Sequence, residues 1–473
     1  MSNAKHPVCK LILGSVATSV LICASAISHA AKAPVDPGAR GGAPGAGGPL
    51  PGLTADEMAF FQDGLNRFVT VESVTGGQNN GLGPRFNSHS CLSCHMQPNV
   101  GGTSPASNPL IAIATFQGAR NVVPWFITAK GPIREARFKR NPDNSEDGSV
   151  HNLFVITGRS DAAGCNIAQP NFLPAGNALT GQGGNPNIVF RIPTPMFGGG
   201  LIEAIPDSAI LANMAADAQA KKSLGILGHP NAHLSGNVNR SANDGTITRF
   251  GWKAQNKSLL MFAGEAYNVE IGISNQLFPQ ERDETPACQG GNWAPNDTLN
   301  FPQPGSPVMP TAELSDIEAF ANFMRLLAPP TPASDTPSTK RGKDTFIKVG
   351  CGLCHTPSFT TGKAMASGSS TRPSAALSNQ SVNLWSDLLV HHMGRDLADG
   401  ITQGGAAPDE FRTAPLWGIG QRIFLMHDGR TTDMLKAIAA HRSRDSEANR
   451  VIDQFDRLSR DQQQDIINFV RGL

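Results

Sequence analysis

Little in this 473-residue chain is charged: Asp, Glu, Lys and Arg make up 16% of it, and 39 basic residues balance 38 acidic ones to a formal charge of +1. Without a basic excess the chain lacks the electrostatic footprint by which proteins hold nucleic acid, so that partner is excluded. Low charge also argues against a coiled coil or a compact helical bundle. Tyr occurs once, at Tyr267, which drift in composition explains better than chemical pressure does. Beyond residue 27 no apolar run approaches the length of a membrane span, so none is expected in the mature chain. What the chain has in abundance is Gly (50) and Pro (35), the composition of a loop-rich globular protein with irregular backbone. Its length suggests two or three domains.

The first thirty residues read as a signal peptide, residues 1–30. Lys5 and Lys10 form a basic n-region, Leu11 to Ile27 is mostly apolar and uncharged, and Ser28-His29-Ala30 offers small residues for cleavage near Ala30. A retained anchor is the alternative, at the short limit for a span. The expected location is the periplasm.

Of eight cysteines, Cys9 and Cys23 leave with the signal. Four of the remaining six stand in two copies of one pattern, Cys91-Leu-Ser-Cys94-His95 and Cys351-Gly-Leu-Cys354-His355. C-x-x-C-H is the attachment pattern of c-type haem: the two thiols add to the vinyl groups, and the following His lies under the iron as proximal ligand. A thioredoxin-like dithiol would need a βαβ context, which the sequence lacks, and zinc would not require His after both pairs. The expectation is two covalently bound haem c groups, with His95 and His355 as metal ligands. By elimination, Cys165 and Cys288 are expected to form a disulfide in an exported chain.

The sequence falls into two unequal copies of one module. Residues 31–52 are rich in Ala, Gly and Pro and read as a flexible linker. Thr54-Ala-Asp-Glu57, Leu314-Ser315-Asp-Ile-Glu318 and Leu458-Ser459-Arg-Asp-Gln462 are capping boxes that open helices. A helix before each haem motif and a capped helix after it outline a cytochrome c domain used twice. The expected organisation is an N-terminal domain over 53–330, a linker over 331–339 and a C-terminal domain over 340–473. Ser315 lies 220 residues after His95, whereas Ser459 lies 104 after His355. The first module therefore carries a large irregular insertion, with strand-like runs at Leu153–Ile156 and Ile188–Ile192. The fold class is expected to be mainly α, two cytochrome c domains with a partly β insertion in the first. Electron transfer alone does not explain so long an insertion.

Function turns on the sixth iron position, since a second protein ligand suits electron storage and an open position suits chemistry on peroxide or oxygen. His441 follows Met434 and Ile438 on one helical face. On its residues alone it fits either an axial ligand of the second haem or a satisfied core histidine. His427 reads as a residue that fixes a turn, and His391 and His392 as loop residues. No histidine lies between His95 and His151, so nothing local closes the first haem.

Several runs resemble one family. Gly83-Pro-Arg-Phe-Asn-Ser88, Pro98-Asn-Val-Gly-Gly-Thr-Ser-Pro105, Phe250-Gly-Trp252-Lys-Ala-Gln255, Phe411-Arg-Thr-Ala-Pro-Leu-Trp417 and Phe424-Leu-Met-His427-Asp-Gly-Arg430 look like the dihaem oxidoreductases described as peroxidases. More distantly the chain is similar to bacterial dihaem cytochrome c peroxidases, to the dihaem enzyme that matures methylamine dehydrogenase and to dihaem rubber oxygenases. The peroxidases place a Trp between the haems and, beyond a Ser-Leu pair, an acid before x-Gly over the open haem. Here Trp252 precedes Ser258-Leu259 and Glu270-Ile-Gly272. The resemblance therefore implies Trp252 as relay and Glu270 as catalytic acid, with Glu265 as rival. The family's distal ligand of the second haem stands fourteen residues after the His of the turn, and fourteen after His427 is His441. Two positions depart. Where the peroxidases have a distal His at the first haem this chain has Ile111, which implies a permanently open iron. The positions of an inter-haem calcium site fall on Arg422 and Phe424, so that site is not carried over.

The expected function is reduction of hydrogen peroxide at an open N-terminal haem, with electrons from a small donor protein of cytochrome c or cupredoxin type entering through the C-terminal haem. The alternatives are a non-catalytic dihaem electron carrier and a dihaem oxygenase of the rubber-cleaving kind, acting with dioxygen.

Overall fold

In the computed structural model, helix outweighs strand among the described residues, 32% against 12%, and the strands form only small sheets. The described residues are 33–72, 85–119, 122–155, 168–173, 186–232, 247–279, 297, 314–368 and 370–473. The expected signal peptide, Cys165 and Cys288 lie outside them. Among them eleven α-helices run in chain order: α1 (Ala55–Val69), α2 (Leu110–Phe116), α3 (Gly199–Glu203), α4 (Asp207–Ala215), α5 (Ala218–Leu224), α6 (Leu259–Ala266), α7 (Asp316–Leu326), α8 (Pro337–Lys348), α9 (Met434–Ala439), α10 (Asn449–Asp456) and α11 (Arg460–Gly472). None of these is long and apolar enough to cross a membrane.

The three capping boxes form as the sequence dictates, at Thr54/Glu57, Ser315/Glu318 and Ser459/Gln462. In each, side chain and backbone satisfy one another's orphan groups at the helix start. The helices then pair, α1 with α7 and α8 with α11. Both crossings depend on a glycine. A Cβ on Gly64 of α1 would lie 2.2 Å from the Ala319 carbonyl oxygen of α7, and one on Gly342 of α8 would lie 1.9 Å from that of Asp465 on α11. Four residues on, each first helix places a Phe in its crossing. Phe68 packs on Phe323 and Phe346 on Phe469, with ring centroids 4.8 and 5.4 Å apart.

The strands are β1 (Arg85–Phe86), β2 (Glu135–Phe138), β3 (Val150–His151), β4 (Phe154–Val155), β5 (Ile188–Arg191), β6 (Phe359–Thr360), β7 (Ser381–Val382), β8 (Val390–His392) and β9 (Glu410–Arg412). β2 lies between β3 and β5 in an antiparallel three-stranded sheet, and the remaining sheets are antiparallel pairs. Strand therefore occurs at both expected runs, in β4 and β5. His391 and His392 depart from the loop reading, because β8 pairs with β9 in register His391 to Phe411.

Two segments read as linkers are ordered more tightly than their composition suggests. Asp36 accepts from Arg471 at 2.6 Å, Leu50 is buried, and the Gly48 carbonyl accepts from the Ala328 amide. The later linker is shorter than expected, since Thr336 caps α8 with Pro337 in its first turn, where proline's missing N–H costs nothing. Residues Pro34–Leu473 form one unit. Within it Asp399 binds both Arg191 (2.5 Å) and Lys253 (3.3 Å), all three side chains being buried.

Candidate functional site: two cavities joined at Trp252

Each C-x-x-C-H run forms a short 3₁₀ turn, Cys91–Ser93 and Cys351–Leu353, that brings the following His inward. The Nδ1 of His95 lies 2.9 Å from the Gly102 carbonyl oxygen, and that of His355 lies 3.1 Å from the Trp385 carbonyl oxygen. A ring held this way donates from Nδ1, so that Nε2 is the nitrogen that would serve as ligand; the His95 ring also bonds the Thr194 backbone. Burial pulls both imidazoles down to about 4, so each is neutral at physiological pH, the form that binds iron. Trp385 turns its carbonyl onto His355 from a left-handed backbone at φ +57°, which a bulky residue keeps only where its surroundings enforce it. Phe68 and Phe346 pack beside His95 and His355, with centroids 6.3 and 6.0 Å away. Burial also drives the thiols of Cys91, Cys94 and Cys351 up, Cys351 to about 12.

His355 opens on a cavity of about 1440 Å³, and Cys351, Cys354 and His441 line it too. His441 lies just beyond α9, its Nδ1 2.8 Å from the Ala437 carbonyl oxygen. His427 lines the same cavity, its ring stacked on Phe411 at 4.3 Å.

His95 opens on a second cavity of about 850 Å³, lined also by Cys91, Glu135, Arg137, Glu265 and Glu270. Glu270 sits in a single π-helical turn, Tyr267–Ile271, after α6; such turns recur at functional sites. The Glu270 carbonyl accepts from the amides of Asn87 and Ser88 (2.7 and 3.2 Å), which ties this turn to the segment before the first haem motif. Burial, then the charges of Glu135 and Glu265, raise the Glu270 carboxyl to about 8, against the pull of Arg137. Glu265 faces the same cavity but is held by the Asn256 side chain. Ile111 lies on α2, packed at the edge of the core.

Trp252 lines both cavities. Its indole N–H donates to the Ile192 carbonyl (2.9 Å), and its own carbonyl accepts from the Arg412 amide (2.8 Å). The nine residues singled out in the sequence thus gather at two sites, with Cys91, Cys94, His95 and Glu270 at one, Cys351, Cys354, His355 and His441 at the other, and Trp252 common to both.

Sequence reasoning missed Glu135 and Arg137. They lie on one face of β2, two residues apart, ion-paired at 2.5 Å, and Glu135 stands opposite Arg191 in β5. No motif marks them, because the sheet register brings them to the cavity. It also missed how His391 is used. Its two nitrogens lie 2.8 Å from Glu447 and 2.9 Å from Asp387, so this buried ring is an ionic tie beside Cys354.

A comparison with curated proteins finds no match. A solved structure of hydrazine synthase from Kuenenia stuttgartiensis pressurised with xenon is similar at 14% identity and a TM-score of 0.30, over 93% of this chain and 98% of that one. Residues 184–473 match the family model described as "Di-haem oxidoreductase, putative peroxidase". Two haems call for two cavities, each with a neutral imidazole on its wall, and the chain provides both; it belongs to this di-haem oxidoreductase family.

Proposed function

We propose that the chain is an exported dihaem peroxidase, which reduces hydrogen peroxide at the His95 cavity with electrons delivered by a small donor protein at the His355 cavity. The observation that carries this reading is Trp252, an aromatic side chain shared by the two cavities. Cys91 and Cys94, and Cys351 and Cys354, would hold the two haems by thioether bonds, with His95 and His355 as their ligands, and each C-x-x-C-H helix pair would serve as a cytochrome c module. When bound, the haem iron would supply the electrons and the Lewis-acid chemistry for peroxide at the first site. The overall reaction takes two electrons and two protons and gives two waters. Glu270 manages the protons: its carboxylate accepts one from the inner peroxide oxygen and returns it to the outer oxygen, which leaves as water. Arg137, ion-paired with Glu135, offsets part of the negative charge around that step. His441, on the wall of the second cavity, would be the residue that closes that site and keeps it for electron transfer.

Absorption and paramagnetic resonance spectra of the purified holoprotein, with and without peroxide, test the reading. One high-spin and one low-spin haem, the high-spin one responding to peroxide, is the expected result. Two low-spin haems would make the chain a carrier. A stable dioxygen adduct at the first haem would favour an oxygenase.

A further inference from the structure

Four of the buried arginines among the described residues are each paired with an acid. Arg191 pairs with Asp399, Arg249 with Asp207, Arg325 with Glu203 and Arg471 with Asp36. Arg422, which is buried, and Arg412, which is half-buried beside it, stand apart. Among the described residues neither forms an ion pair. Arg412 donates Nε to the Gly251 carbonyl (3.0 Å) and reaches the carbonyl of its neighbour Thr413. The Arg422 side chain has no hydrogen-bond partner among the described residues, although the residue is only 6% exposed. Asp387 is the acid that Arg412 senses, and it is already bonded to His391. Burial, and for Arg412 also the repulsion of Arg422, pulls both guanidinium groups down to about 10. Two like charges side by side, one buried and one half-buried, are costly without a counter-charge, so an anion belongs beside them.

Their position says which anion. Both line the His355 cavity, and both also line the adjoining cleft that Trp252 borders. A guanidinium is a planar fork of donors that matches a carboxylate two bonds at a time. We infer that Arg412 and Arg422 clamp the propionate carboxylates of the second haem at the junction between the two cavities. This rests on the dihaem reading and adds to it the residues that neutralise the cofactor. Losing either guanidinium leaves a propionate uncompensated, which favours ferric over ferrous iron at that haem.

The test uses Arg412→Gln and Arg422→Gln in the full chain, with haem content counted before a redox titration of the low-spin haem. The expected result is two haems per chain and a ferrous-to-ferric ratio lowered about tenfold at fixed poise, equivalent to 59 mV for one electron. Arg422→Lys should restore most of the shift, and added acetate should leave the wild-type potential where it is. An unchanged potential in both Gln variants would overturn the proposal. A wild-type potential that tracks acetate would do so too, since the anion would then be a free ligand. If the variants fail to load haem, a crystal structure of the wild-type holoprotein decides. Guanidinium nitrogens within about 3.2 Å of propionate oxygens support the clamp, and any other occupant refutes it. Fewer than two haems in the wild type would instead count against the dihaem reading itself.

Discussion

Glu270 is poised by its neighbours more than by its own chemistry. Its carboxyl stands at about 8, so at neutral pH it is mostly protonated and becomes a base as pH rises through that value. If it takes the first proton from peroxide, turnover rises between pH 6 and 9 along one ionisation near 8. In Glu270→Gln, turnover falls by roughly 10²–10⁴-fold and that ionisation disappears, while haem content and spin state stay put. Steady-state kinetics across pH check both outcomes. His441 offers a test independent of turnover. His441→Ala should make the second haem high-spin with two haems still attached, as read by paramagnetic resonance. The C-x-x-C-H pairs could be read because thioether attachment keeps their spacing local, whereas Glu270 and the interval from His427 to His441 were implied by the family resemblance. Glu135 and Arg137 were not legible, because they reach the cavity only through the β2–β5 register, which pairs residues some fifty positions apart in sequence.

Helix starts could be read from the chain, whereas helix partners could not. Side-chain caps act within four residues, so Thr54, Ser315 and Ser459 announce themselves. The crossings of α1 on α7 and α8 on α11 are long-range, yet they left a trace that composition obscures in so Gly-rich a chain: a glycine four residues before an aromatic, Gly64–Phe68 and Gly342–Phe346, ahead of each haem motif. A methyl group at either glycine meets a backbone carbonyl that cannot rotate away. Gly64→Ala and Gly342→Ala should each cost about 1–3 kcal/mol or more as the helices separate, seen as a lowered melting temperature. Gly41→Ala, where a Cβ meets nothing within 4 Å, is the control. His391 and His392 were misread as loop for the converse reason. A three-residue strand is too short to show alternation, and β9 supplies its hydrogen bonds from twenty residues away.

The two haem regions are held together by buried charge as well as by packing. Asp399 answers both Arg191, on β5, and Lys253, next to Trp252. Asp399→Asn leaves two cations buried without their acid, and a loss of about 3–5 kcal/mol is expected, measured by denaturant unfolding of the holoprotein. Lys253, pulled by burial to about 8, should then lose its charge more readily, so the variant's deficit should shrink as pH rises through 8. The stretch from Pro34 to Gly52 runs across this same assembly. Asp36 grips Arg471 near the end of α11, Arg40 donates its amide to Gly420, and Leu50 donates to Leu326 at the end of α7. The covalent connection between the halves through residues 331–336 is therefore not what keeps them together. A polypeptide cut there should still travel as one particle, and the two pieces, made separately and exported side by side, should find each other like the halves of a split reporter.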